Sequence, residues 1–144
     1  MQDPRYDQLA RQLVRYSTST KRGERVLIEL FDVPEEMGIA LIRAVRAVKA
    51  TPFVNLHNAR LTREMGRKAT EAQYEAMAKT AMHQMKGIDC YIAIRGSHNV
   101  NEMADVPAEK MQLISKAMRP VLNQRVNKTR WCVLRWPSPS MAQA

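Results

Sequence analysis

The sequence has few of the residues on which several common functional motifs depend. It contains five glycines and two cysteines in 144 residues, and only 6% of its residues are aromatic. Neither G-x-G-x-x-G nor G-x-x-x-x-G-K-[ST] occurs, so the usual sequence signatures of a nucleotide phosphate cradle are missing. Cys90 and Cys132 form no C-x-x-C pair and are too few for a disulfide framework. We therefore expect them to be reduced, buried thiols.

Long hydrophobic segments are also missing. The longest uninterrupted apolar run is only a few residues, whereas a helix that crosses a bilayer needs about 20. Residues 1–16 alternate charged with apolar positions and have no signal-peptide core. The sequence therefore does not predict a membrane protein, and we expect a cytoplasmic location.

Motifs for metal binding and nucleophilic catalysis are absent as well. The histidines, His57, His83 and His98, are dispersed and form neither H-E-x-x-H nor H-x-x-x-H, so no metal site is expected on this chain. We expect His83 on a helix surface and the other two in loops after strands. No G-x-S-x-G is present, and Ser97 is better explained as a helix cap than as a nucleophile.

What the sequence does contain is an alternation of strand-length apolar runs with capped amphipathic segments. Hydrophobic residues make up 45% of the chain, enough for one core at this length. Such alternation favours parallel strands joined by right-handed crossovers. The strands are predicted near 26–31, 53–56, 88–94 and 131–135. The prediction is a single α/β domain over residues 1–144. It is a flavodoxin- or Rossmann-like three-layer sandwich, with a four-stranded or slightly larger parallel sheet and helices on both faces.

Start and stop signals delimit the predicted helices. Asp32 and Pro34 are predicted to begin a helix that runs to about Lys49. Residues 70–73 match a capping box, and a basic connection precedes them. Pro120 is predicted to break or kink the last helix.

Several polar residues follow the first and third predicted strands. If the strand order is 2-1-3-4, the order reverses between these two strands, and ligands of open parallel sheets bind beyond such a point. The residues that would gather there are Asp32, Arg95, Gly96, Ser97 and Asn99. Arg95 is able to hold a carboxylate through two parallel hydrogen bonds. The alternative is a structural Asp32–Arg95 pair with helix caps, which the residues alone favour slightly.

Four segments that span nearly the whole chain resemble one known family. They are KRGERVLIELFDVPEEM, TPFVNL, IDCYIAIRGSHNVNEMADVPAEKM and QRVNKTRWCVLRWPSPSMAQ. This set is similar to the N-terminal domain of the aminopeptidase T and aminopeptidase S family of metallo-aminopeptidases, also described as thermophilic or leucyl aminopeptidases. Two departures are Pro-Ser-Pro at 137–139, where Pro-Thr-Pro is usual, and Lys49-Ala-Thr in place of the usual glycine before the second strand.

The resemblance implies an exopeptidase that removes N-terminal residues from peptides with two divalent metal ions, zinc, cobalt or magnesium. In that family the metal ligands and the catalytic carboxylate come from a second, C-terminal domain, which we expect to be absent from this chain. No catalytic or metal-binding residue is therefore assigned here. The implied role is a non-catalytic domain that shapes active-site access or dimerisation, with a homodimer expected for the full-length protein. The alternative is a free-standing α/β module that binds a small anionic ligand or an acidic partner.

The net charge is +9, and the basic surface that carries it is predicted to contact acidic protein. Lys and Arg are scattered along the chain, and no cluster of aromatic residues offers a stacking surface for single strands. A two-metal site needs acidic ligands, so a catalytic domain rich in Asp and Glu would complement a basic one.

We therefore expect no tight binding of duplex or single-stranded DNA at about 0.15 M salt, where weak phosphate contacts are largely screened. Fluorescence anisotropy of labelled DNA, titrated with the chain, measures this directly. Tight binding that persists at this salt would contradict the assignment of the basic surface to a protein partner.

Overall fold

The computed structural model describes residues 3–96 and 105–136, and its helices and strands alternate as the sequence predicts. In chain order the elements are α1 (Pro4–Gln12) followed by a π-helical turn (Leu13–Ser17), β1 (Arg25–Phe31), α2 (Glu35–Ala47), β2 (Thr51–His57), α3 (Ala59–Arg67), α4 (Glu71–Lys86), β3 (Cys90–Gly96), α5 (Ala108–Lys128) and β4 (Arg130–Trp136). All four predicted strands are present, each within about two residues of its predicted start.

The strands form one parallel sheet in the order β2-β1-β3-β4. This is the 2-1-3-4 order, so the strand order reverses between β1 and β3. The two central strands are apolar runs that are buried on both faces, as is typical of parallel sheets. The predicted class, an α/β sandwich with a parallel sheet and helices on both faces, is confirmed.

One face of the sheet carries the larger hydrophobic core. Alternate residues of β1 and β3 point to α1 and α2, and Met37, Leu41 and Val45 of α2 are fully buried there. At Gly38 a Cβ atom would lie only 2.7 Å from Cδ1 of Leu30, so this glycine lets α2 approach the sheet closely. Helix α2 is therefore held tightly against β1.

The other face is covered by α4 and α5 and has a much smaller core. Its buried cluster contains only Leu27, Met85, Ile88, Tyr91 and Ala93. The remaining side chains on this face of the sheet include charged and polar groups. The packing on this side therefore leaves room for a cleft, which is described below.

The amino end of the sheet is closed by polar contacts. The backbone N–H of Arg25 donates to Oδ2 of Asp89 at 2.9 Å. Nε of Arg130 donates to the carbonyl oxygen of Thr18 at 2.8 Å, and the same guanidinium pairs with Glu24. These contacts tie β1, β4 and the end of the first helix together at this end of the sheet.

Two predictions about helices are wrong. Helix α5 continues through Pro120 and ends at Lys128, so the predicted break is wrong, whereas a kink at this proline stays a prediction. The basic connection before Thr70 contains a further helix, α3, whose first turn is capped by Asn58 through hydrogen bonds from the N–H groups of Arg60 and Leu61. The capping signal at Asn58 lay inside a segment whose charge suggested a loop.

The predicted cap of α2 by Asp32 is also wrong. Pro34 occupies the N-cap position and no side chain caps this helix. Asp32 has a left-handed backbone, with φ of 55°, and its Oδ2 accepts a hydrogen bond from the N–H of Ala59 at 2.9 Å. Asp32 therefore joins the end of β1 to the start of α3.

Lys49 takes the left-handed backbone conformation that glycine favours, with φ of 66°. It follows α2, and its N–H donates to the carbonyl oxygen of Arg46 at 2.9 Å. The turn before β2 is therefore made without the glycine usual in the family that the sequence resembles.

Both cysteines are free thiols, as predicted. Cys90 is buried and Cys132 is partly buried. Burial raises the pKa of the Cys90 thiol above its ordinary value, so this group is protonated and unreactive. In the part of the chain that the structure describes, no helix has the length and apolar character needed to span a bilayer.

Pro120→Ala is expected to stabilise the protein by about 2 kcal/mol. A proline in a helix interior costs about 3 kcal/mol relative to alanine, and the greater freedom of the unfolded chain without proline offsets about 1 kcal/mol of that gain. Urea unfolding followed by circular dichroism measures the change. Lys116→Ala, at an exposed site on the same helix, serves as the control and should shift stability by less than about 0.5 kcal/mol.

Candidate functional site

The predicted ligand residues that the structure describes lie at one edge of the sheet. Asp32 directly follows β1, and Arg95 and Gly96 end β3, the neighbouring parallel strand. They therefore lie at the point where strand order reverses, as the sequence predicts for this order. Ser97 and Asn99 fall outside the described residues, as does His98. The role of this group in ligand binding remains a prediction.

A row of four side chains crosses the carboxyl end of the sheet on the α4–α5 face. In the strand register His57 pairs with Phe31, Phe31 with Arg95, and Arg95 with Arg135. The rings of His57 and Phe31 stack with centroids 4.3 Å apart and planes 9° apart. The guanidinium carbon of Arg95 lies 5.1 Å from the centre of the Phe31 ring. Phe31 therefore orients a cation on one side and an imidazole on the other.

Behind this row, a carboxylate is buried in the middle of the central strand. Glu29 is only 7% exposed. Its Oε2 lies 2.5 Å from Nε2 of His57, and its Oε1 accepts a hydrogen bond from the Tyr91 hydroxyl at 2.7 Å. The guanidinium of Arg125, on α5, lies 3.5 Å from Oε1. Glu29 thus joins β1 to β2, to β3 and to α5.

The charge state of this network follows from its contacts. Burial alone would raise the pKa of Glu29, but hydrogen bonds from His57 and Tyr91, together with the charge of Arg125, hold it below its ordinary value. Burial and the adjacent carboxylate raise the pKa of Tyr91. At neutral pH the network therefore contains an ionised Glu29 and a protonated Tyr91.

Arg125 stacks on the network as well as pairing with it. Its guanidinium carbon lies 4.2 Å from the centre of the Tyr91 ring. Its Nε is buried and has no hydrogen-bond partner. An unpaired buried N–H costs about 1–3 kcal/mol, so Arg125 is held here by its charge and its stacking despite an unfavourable contact.

These side chains form the polar wall of a cleft between the sheet and helices α4 and α5. The cleft has a volume of about 730 Å³, within the range of small-molecule sites. Asn55 and Gln84 bridge its side, with Nδ2 of Asn55 donating to Oε1 of Gln84 at 2.7 Å. The lining residues are Leu27, Glu29, Phe31, Asn55, His57, Met77, Thr80, Ala81, His83, Gln84, Met85, Tyr91, Arg95, Met118, Val121 and Arg125.

The sequence analysis missed most of this site. His57 is the last residue of β2, so its predicted place in a loop is wrong, whereas His83 lies exposed on α4 as predicted. Two signals were available. Glu29 is a lone charge inside an apolar strand, and Phe53, Asn55 and His57 alternate along one strand face.

A metal centre is not supported by the described residues. Within residues 3–96 and 105–136, no three His, Cys, Asp or Glu side chains come together in a way that could hold a metal ion. Both oxygens of Glu29, the buried carboxylate of the cleft, already accept from neighbouring side chains. The two metal ions implied by the resemblance therefore do not fit the donors described here.

The fold and the placement of polar residues at the carboxyl end of a parallel sheet define a doubly wound α/β domain. Residues 2–144 match the family described as thermophilic metalloprotease (M29). The chain belongs to this family, which confirms the resemblance stated from the sequence.

The fold of this chain is similar to part of a solved structure. Wild-type AmpT from Thermus thermophilus is 21% identical, with a TM-score of 0.71 over 98% of this chain. This chain spans only 38% of the length of that protein. A putative transcription regulation repressor of the LacI family from Corynebacterium glutamicum is 12% identical, with a TM-score of 0.39, over 90% of this chain and 59% of its own. No curated protein matches the chain.

Glu29→Gln is expected to destabilise the protein by about 3 kcal/mol at pH 7, because it leaves Arg125, whose side chain is only 16% exposed, without its counter-charge. The pKa of Glu29 is lower in the folded protein than its ordinary value of 4.5. The contribution of Glu29 to the free energy of unfolding is therefore complete above its ordinary pKa. It is lost as the pH falls through the lower pKa that Glu29 has in the folded protein. In urea unfolding, the free energy of unfolding should fall less between pH 7 and pH 3 for the variant than for the unchanged protein.

Two matched variants test the attribution to this carboxylate. Tyr91→Phe removes one hydrogen bond to Glu29 and should cost about 1 kcal/mol. Glu75→Gln removes an exposed carboxylate from α4 and should change stability by less than about 0.5 kcal/mol. Equal effects of Glu29→Gln and Glu75→Gln at pH 7 would show that the buried pair contributes nothing.

Proposed function

We propose that the chain is the non-catalytic N-terminal domain of a metal-dependent aminopeptidase that removes N-terminal amino acids from peptides. The observation that carries this proposal is the match of residues 2–144 to the thermophilic metalloprotease family. One further fact supports it. The chain spans 38% of the length of AmpT.

The metal chemistry in this proposal belongs to protein outside these 144 residues. Two divalent ions, zinc, cobalt or magnesium, would there activate water and polarise the peptide carbonyl. The contribution of this chain is to shape access to that centre or to form the dimer. Peptide substrates, a homodimer and a cytoplasmic location belong to the same proposal.

Exposed apolar side chains support a role in contact with other protein. On α3, Leu61 is 68% exposed and Met65, one turn later on the same side, is 40% exposed. On the edge strand β4, Trp131 and Val133 are both nearly half exposed on the same face. Such surfaces are typical of residues covered by a further domain or subunit.

Arginines 60, 63 and 67 lie on the same helix as Leu61 and Met65, and Lys68 caps its end. Arg63 pairs with Asp105 at 3.6 Å, and Arg67 pairs with Glu64 at 3.7 Å. The surface around α3 therefore combines apolar area with an excess of positive charge. This combination fits an acidic protein partner, in keeping with the expectation from the net charge.

The free-standing binding module remains the second candidate function. It is favoured by one observation, the adjacent exposed arginines Arg95 and Arg135 at the carboxyl end of the sheet. An anion-binding site at Arg95 is compatible with a peptidase role in which α3 is the contact surface, whereas Arg135 shares one face of β4 with Trp131 and Val133.

The purified 144-residue chain is expected to release no amino acid from leucine p-nitroanilide or from a leucyl peptide in the presence of zinc, cobalt or magnesium. A binuclear site needs several converging ligands, which the described residues lack. A known metallo-aminopeptidase serves as the positive control of the assay. Metal-dependent release by the pure chain, abolished by a chelator, would refute the non-catalytic role.

The complementary measurement uses the same reading frame extended past Ala144. If the proposal is correct, the longer product shows metal-dependent aminopeptidase activity that the 144-residue chain lacks. A longer product that folds but is inactive with all three metals would contradict the assignment to an aminopeptidase.

A further inference from the structure

Arg95 lines the cleft at the carboxyl end of the sheet, and Arg135 lies beside it on the neighbouring strand β4. Arg95 and Arg135 are direct partners in the register of β3 and β4, so their side chains leave the same face of the sheet. Neighbouring strands are about 4.8 Å apart, and like charges directly opposite each other are destabilising. Both residues are exposed, and Arg95 is further oriented by the Phe31 ring. An anion placed between the two guanidinium groups would relieve their repulsion.

The interior of the cleft is mostly apolar. Met77, Met85 and Met118 line it together with Leu27 and Val121. Methionine is unbranched and polarisable, so such a wall adapts to apolar groups of different shape. The volume of about 730 Å³ is sufficient for a small molecule with an apolar portion.

The charges of the cleft favour an anion. Among its described lining residues, Glu29 is the one carboxylate, set against Arg95 and Arg125. The oxygens of Glu29 already accept from His57 and Tyr91, so they offer no free ligand to a cation. An anion that carries an apolar group can also use the apolar interior of the cleft, which a fully polar anion such as phosphate cannot.

We propose that this cleft binds a molecule in which one carboxylate is joined to an apolar group, with the carboxylate held at the rim by Arg95 and Arg135. Carboxylate and guanidinium match in a bidentate geometry, which gives short, charge-assisted hydrogen bonds. Two sources share this chemistry, a free amino acid and the carboxyl terminus of a peptide. The carboxyl terminus is favoured, because the ammonium group of a free amino acid would lie beside two arginines.

The inference does not depend on the aminopeptidase assignment. It gives a site and a ligand class to the binding-module function, and it is tested without metal or peptidase measurement. A failure of either proposal therefore leaves the other unaffected.

The test is an NMR titration of the ¹⁵N-labelled chain with N-acetyl-L-leucine, which represents the carboxyl terminus of a peptide. A ligand of this size is expected to bind with a Kd of about 1 mM. The shifted signals should come from the cleft, with Asn55 and Gln84 among them. The parallel probes are N-acetyl-L-leucine amide, free leucine, acetate and inorganic phosphate.

N-acetyl-L-leucine should bind at least about tenfold more tightly than its amide, which lacks the charge and has an NH2 donor in place of one acceptor oxygen. It should also bind more tightly than free leucine, acetate and phosphate. Equal binding of the acid and the amide, or stronger binding of phosphate, overturns the proposal. Equal or stronger binding of free leucine overturns the choice of a peptide terminus as the source.

Variants assign the site to these residues. Arg95→Met and Arg135→Met each keep an apolar stem and should weaken binding of N-acetyl-L-leucine about tenfold. Ala81→Phe, which fills the cleft from α4, should abolish it. Arg46→Met removes an exposed arginine from the opposite face, on α2, and should leave the Kd unchanged.

Circular dichroism of each variant establishes that it is folded. The two arginine variants are independent, so a folding failure in one still leaves the other as a test. Unchanged binding in a folded Arg95→Met or Arg135→Met variant shows that the arginine rim does not hold the carboxylate.

Discussion

The burial of one carboxylate, Glu29, is the constraint on which this face of the molecule depends. A buried charge is tolerated only when it is paired and hydrogen-bonded. Its partners come from three other elements, His57 on β2, Tyr91 on β3 and Arg125 on α5. The carboxylate can therefore be satisfied only when all four elements are in place. This requirement couples the sheet to α5 where the hydrophobic core alone is too small to do so.

The two faces of the sheet consequently have different physical roles. The α1–α2 face buries a continuous apolar cluster and supplies most of the hydrophobic stabilisation. The α4–α5 face buries few side chains completely and is held by a polar network and by the packing of α4 against α5. Because the α1–α2 face supplies most of the stabilisation, the α4–α5 face tolerates a cleft and an unpaired guanidinium N–H in Arg125. Departures from good packing of this kind are usual at binding sites.

The sequence predicts local features well and misses those that depend on distant partners. The apolar runs of β1 and β3 predicted buried strands, and alternation with helices predicted the parallel sheet. The break predicted at Pro120 was wrong because tertiary packing outweighed the local preference of proline, whereas α3 was missed although its cap at Asn58 is itself a local signal. The network of Glu29 was missed because its contacts reach 28 and 62 residues along the chain. Only the register of the parallel strands brings those residues together.

The same network explains why positive charge can persist at the carboxyl end of the sheet. If Glu29 were unpaired, its charge would offset that of Arg95 on the neighbouring strand. Arg125 and the hydrogen bonds from His57 and Tyr91 compensate the carboxylate inside the protein. The charges of Arg95 and Arg135 then act on the solvent side of the cleft, where they are exposed. Because Arg125 neutralises Glu29 inside the protein, the carboxylate does not neutralise Arg95 and Arg135. The buried ion pair and the exposed positive charge therefore depend on each other.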